Sequence, residues 1–246
     1  MVNEVNQPPV VRQIGDNGRW SVIHRYAFTD GAKDDIGGQD GTLMNGATIT
    51  NGALVLNGAG QYLTLPGGLI TGLETVTFEF GASFGHNGPW CRLYDFGDQN
   101  AFGEGRYYVM FTPHSGDGDY LISYAWGDPG YLNQSVVRNS VPANLDNLGL
   151  LHIVCEYEPS TGFMGFFTNG VLAASVTNQR GPLSNIHNVH SWLGRSLYHG
   201  DAYLNGTITE FRIYAGRLTL PELRTNYLRG PDVVPSAGFS GQYCRD

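Results

Sequence analysis

The sequence predicts a single antiparallel β-sandwich with a short helix near its C-terminus, and three observations carry that prediction. Short runs alternate apolar and polar positions with the period of two that a half-buried strand requires. Asn, Gly and Asp punctuate those runs, most sharply at Thr168-Asn169-Gly170-Val171, where an Asn-Gly pair between apolar runs suits a type I′ hairpin turn. Composition agrees: 35 Gly and 14 Tyr, with charged residues at only 15%, suit many strands joined by tight turns and argue against disorder. At 246 residues such a sandwich is commonly one domain.

Each element follows in chain order. Residues 1–21 are polar and contain Pro8-Pro9, which predicts an arm outside the domain proper. Strand character begins at Val22 and runs to Phe28, where Thr29-Asp30-Gly31 turns the chain. Very short strands separated by Gly, Asn and Asp turns continue to Pro66. From Thr75 to Phe84, Val76, Phe78 and Phe80 oppose Thr77, Glu79 and Gly81, giving a long strand with one apolar face. Further strands are predicted over 91–97, 106–112, 119–126, 150–158, 162–170 and 171–177.

Ser191 to Tyr214 reads as a hairpin, two strand-like runs around a polar loop. Its second run sets Ile208, Glu210, Arg212 and Tyr214 on one face and Thr209, Phe211 and Ile213 on the other. Asn205-Gly206 before it tolerates φ > 0. Thr219 as N-cap, Pro221 in the first turn and Glu222 completing a capping box start a helix that ends near Leu228. Residues 231–246 return to Pro, Gly and Ser and read as a tail.

The formal net charge of -8 repels a phosphate backbone or an anionic membrane surface, so nucleic acid is not an expected partner. No run approaches the ~18 apolar residues of a membrane span, and the N-terminus lacks a basic and then apolar leader pattern. Cys91, Cys155 and Cys244 lack zinc or thioredoxin spacing. The first two lie in strand-like runs as small hydrophobes. Cys244 is either free or ties the tail to the body or to another chain.

The segment HRYAFTDGAKDDIGGQDGT, and the pattern WLGRS, a loop and LNGTITEFRIY, resemble the laminin-G-like jelly rolls of the concanavalin A-like lectin/glucanase superfamily. The resemblance spans roughly residues 22–230. It implies a jelly roll, and a structural calcium between the N-terminal acidic turn and the final strand, with Asp30 and Glu210 at the matching positions. Calcium gathers carboxylate and carbonyl oxygens of the kind Gly-rich turns expose. The competing reading gives Asp30 a plain Asx-turn and leaves Glu210 solvated.

Glucanases of this fold carry Glu-x-Asp-x-x-Glu, because retaining hydrolysis sets a nucleophile and an acid about 5 Å apart. That pattern is missing here: Glu79 stands alone, and Glu156-Tyr157-Glu158 lacks the third acid. There is no G-x-S-x-G, no H-E-x-x-H and no phosphate-cradling loop. His152 lies in an apolar strand and reads as a hydrogen-bonded core or edge residue. A lyase using a Tyr or His base from distant strands leaves no short motif.

Aromatics in loops point to ligand binding. Trp90 and Trp126 each sit beside Gly and Pro, and with Asp128, Tyr131, Arg195, Tyr198 and His199 they supply rings for sugar C–H faces and polar partners for hydroxyls. Alternatively each Trp folds over a sheet edge and caps the core. The leading expectation is a non-catalytic, secreted or cell-surface carbohydrate-binding or adhesion module with a structural calcium. A self-associating structural protein working through its arm and Cys-bearing tail is the second, and a polysaccharide hydrolase or lyase the third.

Overall fold

A computed structural model of the chain describes residues 13–14, 19–231 and 233. In order come β1 (Gln13–Ile14), β2 (Trp20–Tyr26), β3 (Thr42–Met44), β4 (Thr48–Thr50), β5 (Ala53–Asn57) and β6 (Tyr62–Leu65). Next are β7 (Val76–Phe84), β8 (Tyr94–Gln99), β9 (Gly105–Thr112), β10 (Tyr120–Ala125) and β11 (Gln134–Asn139). The remainder are β12 (Leu151–Glu158), β13 (Phe163–Thr168), β14 (Val171–Val176), β15 (His190–Leu193), β16 (Asn205–Gly216) and the helix α1 (Leu220–Arg229).

These strands form two antiparallel sheets packed face to face. One runs β1-β2-β16-β7-β12-β13-β14, with β5 also on β16 and β4 on β5; the other runs β11-β10-β9-β8-β15-β6-β3. Register explains the core. Leu63, Leu193, Tyr94, Phe111, Ile122 and Val137 lie opposite one another across six strands of the second sheet. They meet the inward residues of β7 and β16: Phe78 stacks on Tyr94 at 4.4 Å and Phe80 meets Phe111 edge-on at 5.4 Å. Burying each such ring stabilises by roughly 1.5–3 kcal/mol. The hydroxyls of Tyr94 and Tyr157 satisfy each other at 2.8 Å inside this core.

Asn169 (φ 52°) and Gly170 (φ 75°) make the predicted two-residue turn, with Thr168 opposite Val171. The capping box at Thr219 and Glu222 forms, with Pro221 in the first turn. Cys91 and Cys155 are buried free thiols, and burial pushes Cys91 up to about 12, which keeps it an unreactive hydrophobe.

Four expectations change. Ser191 to Tyr214 is not a hairpin: β15 pairs with β6 and β8 in one sheet, β16 with β2, β5 and β7 in the other, so the intervening loop crosses between sheets. Both strands present apolar faces to one interior from opposite sides, which simple alternation does not distinguish from pairing. A bulge between Ile208 and Glu210 adds a residue, so Ile208 joins Phe211 and Ile213 in the core while Glu210, Arg212 and Tyr214 face outward. Gly206 is required by close approach rather than by a positive φ, since a Cβ there would lie 2.3 Å from the Ser83 carbonyl oxygen. The domain also starts before Val22: Gln13–Ile14 pairs with β2, and the buried Trp20 ring meets Tyr214 edge-on at 5.4 Å. The rest of the predicted arm, and most of the predicted tail with Cys244, lie outside the described residues. Among the described residues no helix is long and apolar enough to cross a membrane.

Candidate functional site

Residues alternating with the core row point to the outer face of the seven-stranded sheet, where Thr64, Trp192, Asp95, Met110, Ser123 and Val136 lie opposite one another. That face is apolar far beyond what solvent contact needs. Tyr108, Met110, Leu121, Ala125, Trp192 and Leu197 form a buried cluster on it, with Trp90, Val136 and Tyr198 packed alongside. Over part of this floor opens a groove of about 360 Å³, within the size range of small-ligand sites. Tyr108, Met110, Leu121 and Val136 line its base, and Trp90, Tyr131 and Tyr198 are its accessible rings.

Each ring is positioned by the local chain. Trp90 holds φ 63°, an uncommon conformation for a bulky residue. It is fixed there because its N–H donates to the His114 carbonyl at 2.7 Å and its own carbonyl accepts Arg92 Nη1 at 2.7 Å. Gly116 gives the indole room: a Cβ there would stand 2.7 Å from Trp90 Nε1. Tyr198 Oη accepts the Tyr131 N–H at 3.2 Å and donates to the Gly105 carbonyl at 2.9 Å, tying the two loops together. Tyr131 is 51% exposed, with its ring 6.2 Å from that of Tyr198.

Beneath and around the rings sit paired charges. The buried Arg92 guanidinium is 3.2 Å from Asp201 and 3.4 Å from Asp95, and 5.6 Å from the Trp90 ring centre. Asp95 also accepts the Leu197 N–H at 2.9 Å, but its Oδ1 and Arg92 Nε lack hydrogen-bond partners. Burial raises the Asp95 carboxyl to about 7, with Arg92 opposing the shift, and burial raises Asp201 as well. At the rim, Arg138 Nη1 bridges Asp117 at 2.8 Å and Asp119 at 3.0 Å.

Of the seven expected ligand residues, the structure brings Trp90, Tyr131 and Tyr198 together in the groove. Trp126 packs on the interior core with its ring 5.7 Å from Tyr124 and is a core cap. Asp128 is held at the surface by Arg106 at 3.2 Å and Asn100 at 2.8 Å. The Arg195 guanidinium sits over Trp192, 4.0 Å from the ring centre, and donates to Tyr62 Oη at 2.9 Å, so it covers that ring. His199 is exposed and contacts Gly103 through its backbone. Gln134, Val136, Arg138 and Asp201 complete the lining without having been singled out from sequence, and Asp117, from an acidic turn that reads as a weaker metal candidate, joins them. The alternation in 106–112 marks Tyr108 and Met110 as outward residues, whereas β11, Gln-Ser-Val-Val-Arg-Asn, is too polar to have been read as a strand.

The expected calcium donors do not fit a divalent cation. Glu210 is 2% exposed and its oxygens accept from Arg25, at 2.7 and 3.3 Å, and from Arg212. Asp30 is a surface residue paired with Lys33. The nearby Asp34 is occupied as well, by the N–H groups of Arg25, Gly37 and Gln39 at 2.9–3.0 Å and by His24 at 2.7 Å. Guanidinium and amide donors thus neutralise the oxygens a cation would need. Among the described residues no group of three or more His, Cys, Asp or Glu is placed to hold a metal ion.

The outer face of the nine-stranded sheet is different. Glu79 accepts from His152 Nε2 at 2.7 Å, Arg212 Nη1 at 3.4 Å, Asn226 Nδ2 at 3.1 Å and the Tyr214 hydroxyl. Burial pushes the Glu79 carboxyl up, but Arg212 and the bonds from His152 and Tyr214 outweigh it and hold it at about 2. Asn226 comes from α1, and Arg212 Nη2 reaches the carbonyls of Pro231 and Val233. Among the described residues a small cavity of about 160 Å³ remains there.

Comparisons with known proteins agree with this architecture. Domain 4 of a GH43 extracellular arabinanase from Geobacillus stearothermophilus, solved in complex with arabinotriose, superposes with a TM-score of 0.67 at 20% identity, over 83% of this chain and 97% of that one. The CBM40 of the Ruminococcus gnavus IT-sialidase bound to alpha2,3 sialyllactose gives 0.52 at 16% identity, over 62% and 82%. The botulinum neurotoxin serotype D ligand binding domain, in complex with N-acetylneuraminic acid, gives 0.64 at 11% identity, over 85% of this chain and 50% of that one. No curated protein is matched by sequence. The Laminin_G_3 model matches residues 57–224, and the chain belongs to that family of the concanavalin A-like lectin/glucanases superfamily.

Proposed function

We propose that this chain is a non-catalytic carbohydrate-binding module, acting outside the cell, that seats a glycan in the groove on the seven-stranded sheet. The observation that carries the reading is the open aromatic groove itself: Trp90, Tyr131 and Tyr198 stand over an apolar floor with carboxylates at the rim. Sugar rings pack their C–H faces on such aromatic planes, and carboxylate and amide oxygens accept their hydroxyl hydrogens. Solved neighbours bound to arabinotriose, sialyllactose and N-acetylneuraminic acid support the class of ligand, and one of them is a domain of an extracellular enzyme. Asp117 and Asp201 are both ion-paired to arginines, which suits acceptors of hydroxyl hydrogen bonds.

Such a site binds modestly. A half-covered ring contributes roughly 1–2 kcal/mol, and after the losses of association a total of about 4 kcal/mol corresponds to a dissociation constant of about 1 mM. The test is a panel of immobilised polysaccharides, with retention of the parent compared with Tyr131→Ala, a half-exposed ring whose loss disturbs little packing. The reading predicts retention on at least one polysaccharide and about tenfold weaker retention of the variant. No retention across the panel, or equal retention of both proteins, would contradict it.

A further inference from the structure

Resting on the reading of this groove as a sugar site, we infer that it selects uncharged glycans and excludes acidic ones. A sialic or uronic acid carries a carboxylate, and a site that holds it must offer an uncompensated cation, most effectively a bidentate guanidinium. Among the described residues the groove lining holds two cations, Arg92 and Arg138, and both are already committed. Arg92 is 3% exposed and lies between Asp95 and Asp201 while donating to the Trp90 carbonyl. Arg138 bridges Asp117 and Asp119, of which Asp117 is 60% exposed and faces any incoming ligand.

Displacing those carboxylates would leave buried or half-buried anions unpaired, which is costly. An acidic sugar would also enter against Asp117 and against a chain of formal charge -8. What the site offers instead is apolar ring surface plus carboxylate acceptors, the chemistry of a neutral, hydroxyl-rich sugar. Selection here is by repulsion: the negative rim removes a class of competitors that the aromatic rings alone would accept.

The test uses the full 246-residue chain against two sets of probes. Neutral arabino- and xylo-oligosaccharides form one set, and polygalacturonate with sialyllactose forms the other. The inference predicts binding confined to the neutral set and changed less than about twofold between about 50 and 500 mM NaCl, because no ligand charge is there to be screened. It also predicts that Asp117→Asn, which removes one negative charge from the rim and leaves Arg138 less compensated, raises retention on polygalacturonate severalfold at low salt. Acidic probes binding preferentially, with a strong salt dependence and loss in Tyr131→Ala, would overturn the inference while leaving the groove a sugar site. Failure of both sets to bind would overturn both.

Discussion

The two outer faces of the sandwich solve the same problem in opposite ways. Each sheet must end its apolar interior at a surface, and each carries buried charge there. On the nine-stranded sheet, α1 and the chain at Pro231 close over Glu79, Arg212 and Tyr214, and the carboxylate oxygens of Glu79 are filled by His152, Arg212, Tyr214 and Asn226. On the seven-stranded sheet no helix among the described residues covers the face, and the residues that replace one are aromatic rings around an open groove, with Asp95 Oδ1 and Arg92 Nε left unbonded below. A face whose carboxylates are paired and covered by a helix, with His152 Nδ1 its one unbonded atom in this cluster, is built to hold the fold. One left open, with apolar floor and rings, is built to meet something else.

The largest expected effect breaks the closed face. Arg212→Ala removes the cation from a buried Glu79 and Glu210 pair and should cost about 3–5 kcal/mol in chemical denaturation, with carbohydrate retention unchanged in whatever remains folded. A loss below about 1 kcal/mol would show that the network does not close this face.

The pH dependence sharpens the contrast next. Asp95 under the groove and Glu156 beside Arg217 are both raised by burial to about 7, above their unfolded values. Their stabilising contribution is fully present below about pH 4 and is lost as pH rises through 7, since the unfolded chain then releases protons the folded chain retains. Glu79, held at about 2, has the opposite sign: its contribution is present above about pH 4.5 and is lost as pH falls towards 2. The melting temperature should therefore be highest near pH 5 and fall by several degrees towards pH 8, and Asp95→Asn should flatten that alkaline fall. An unchanged slope in the variant would detach Asp95 from it.

The smallest expected effect is that of chelation. Because Glu210 is saturated by Arg25 and Arg212 and Asp30 by Lys33, excess EDTA should leave the melting curve within about 1 °C of its starting value. A drop of several degrees would restore a metal to this region and reopen the account of the acidic turn.

Much of the fold was legible in the residues. The alternation of β7, the Asn169-Gly170 turn and the Thr219 capping box are local signals whose structural outcome depends on few neighbours. What stayed hidden depends on partners far away in sequence. Period-two alternation in β15 and β16 shows a buried face but not which sheet owns it, and the bulge at Thr209 shifts the phase of β16 by one residue. Trp90 and Trp126 look alike in sequence, each beside Gly and Pro, yet one borders the groove and the other leans on Tyr124. Glu210 passed for a calcium ligand because its strand position fits, while Arg25 and Arg212, which claim it, are visible only once β2 and β16 are paired. The groove lining from β11 was lost with the strand itself.

Those two tryptophans give the most direct test of whether ligand binding belongs to the open face. Retention on a bound neutral polysaccharide and thermal melting should be measured together on Trp90→Ala and Trp126→Ala. We predict that Trp90→Ala weakens retention about tenfold, or ~1.4 kcal/mol, with a minor change in melting temperature. Trp126→Ala should instead lower stability by about 2–3 kcal/mol, as a partly buried core ring does, and leave retention per folded molecule intact. If Trp126→Ala abolishes retention while Trp90→Ala binds like the parent, the ligand lies elsewhere and the open groove is not its site.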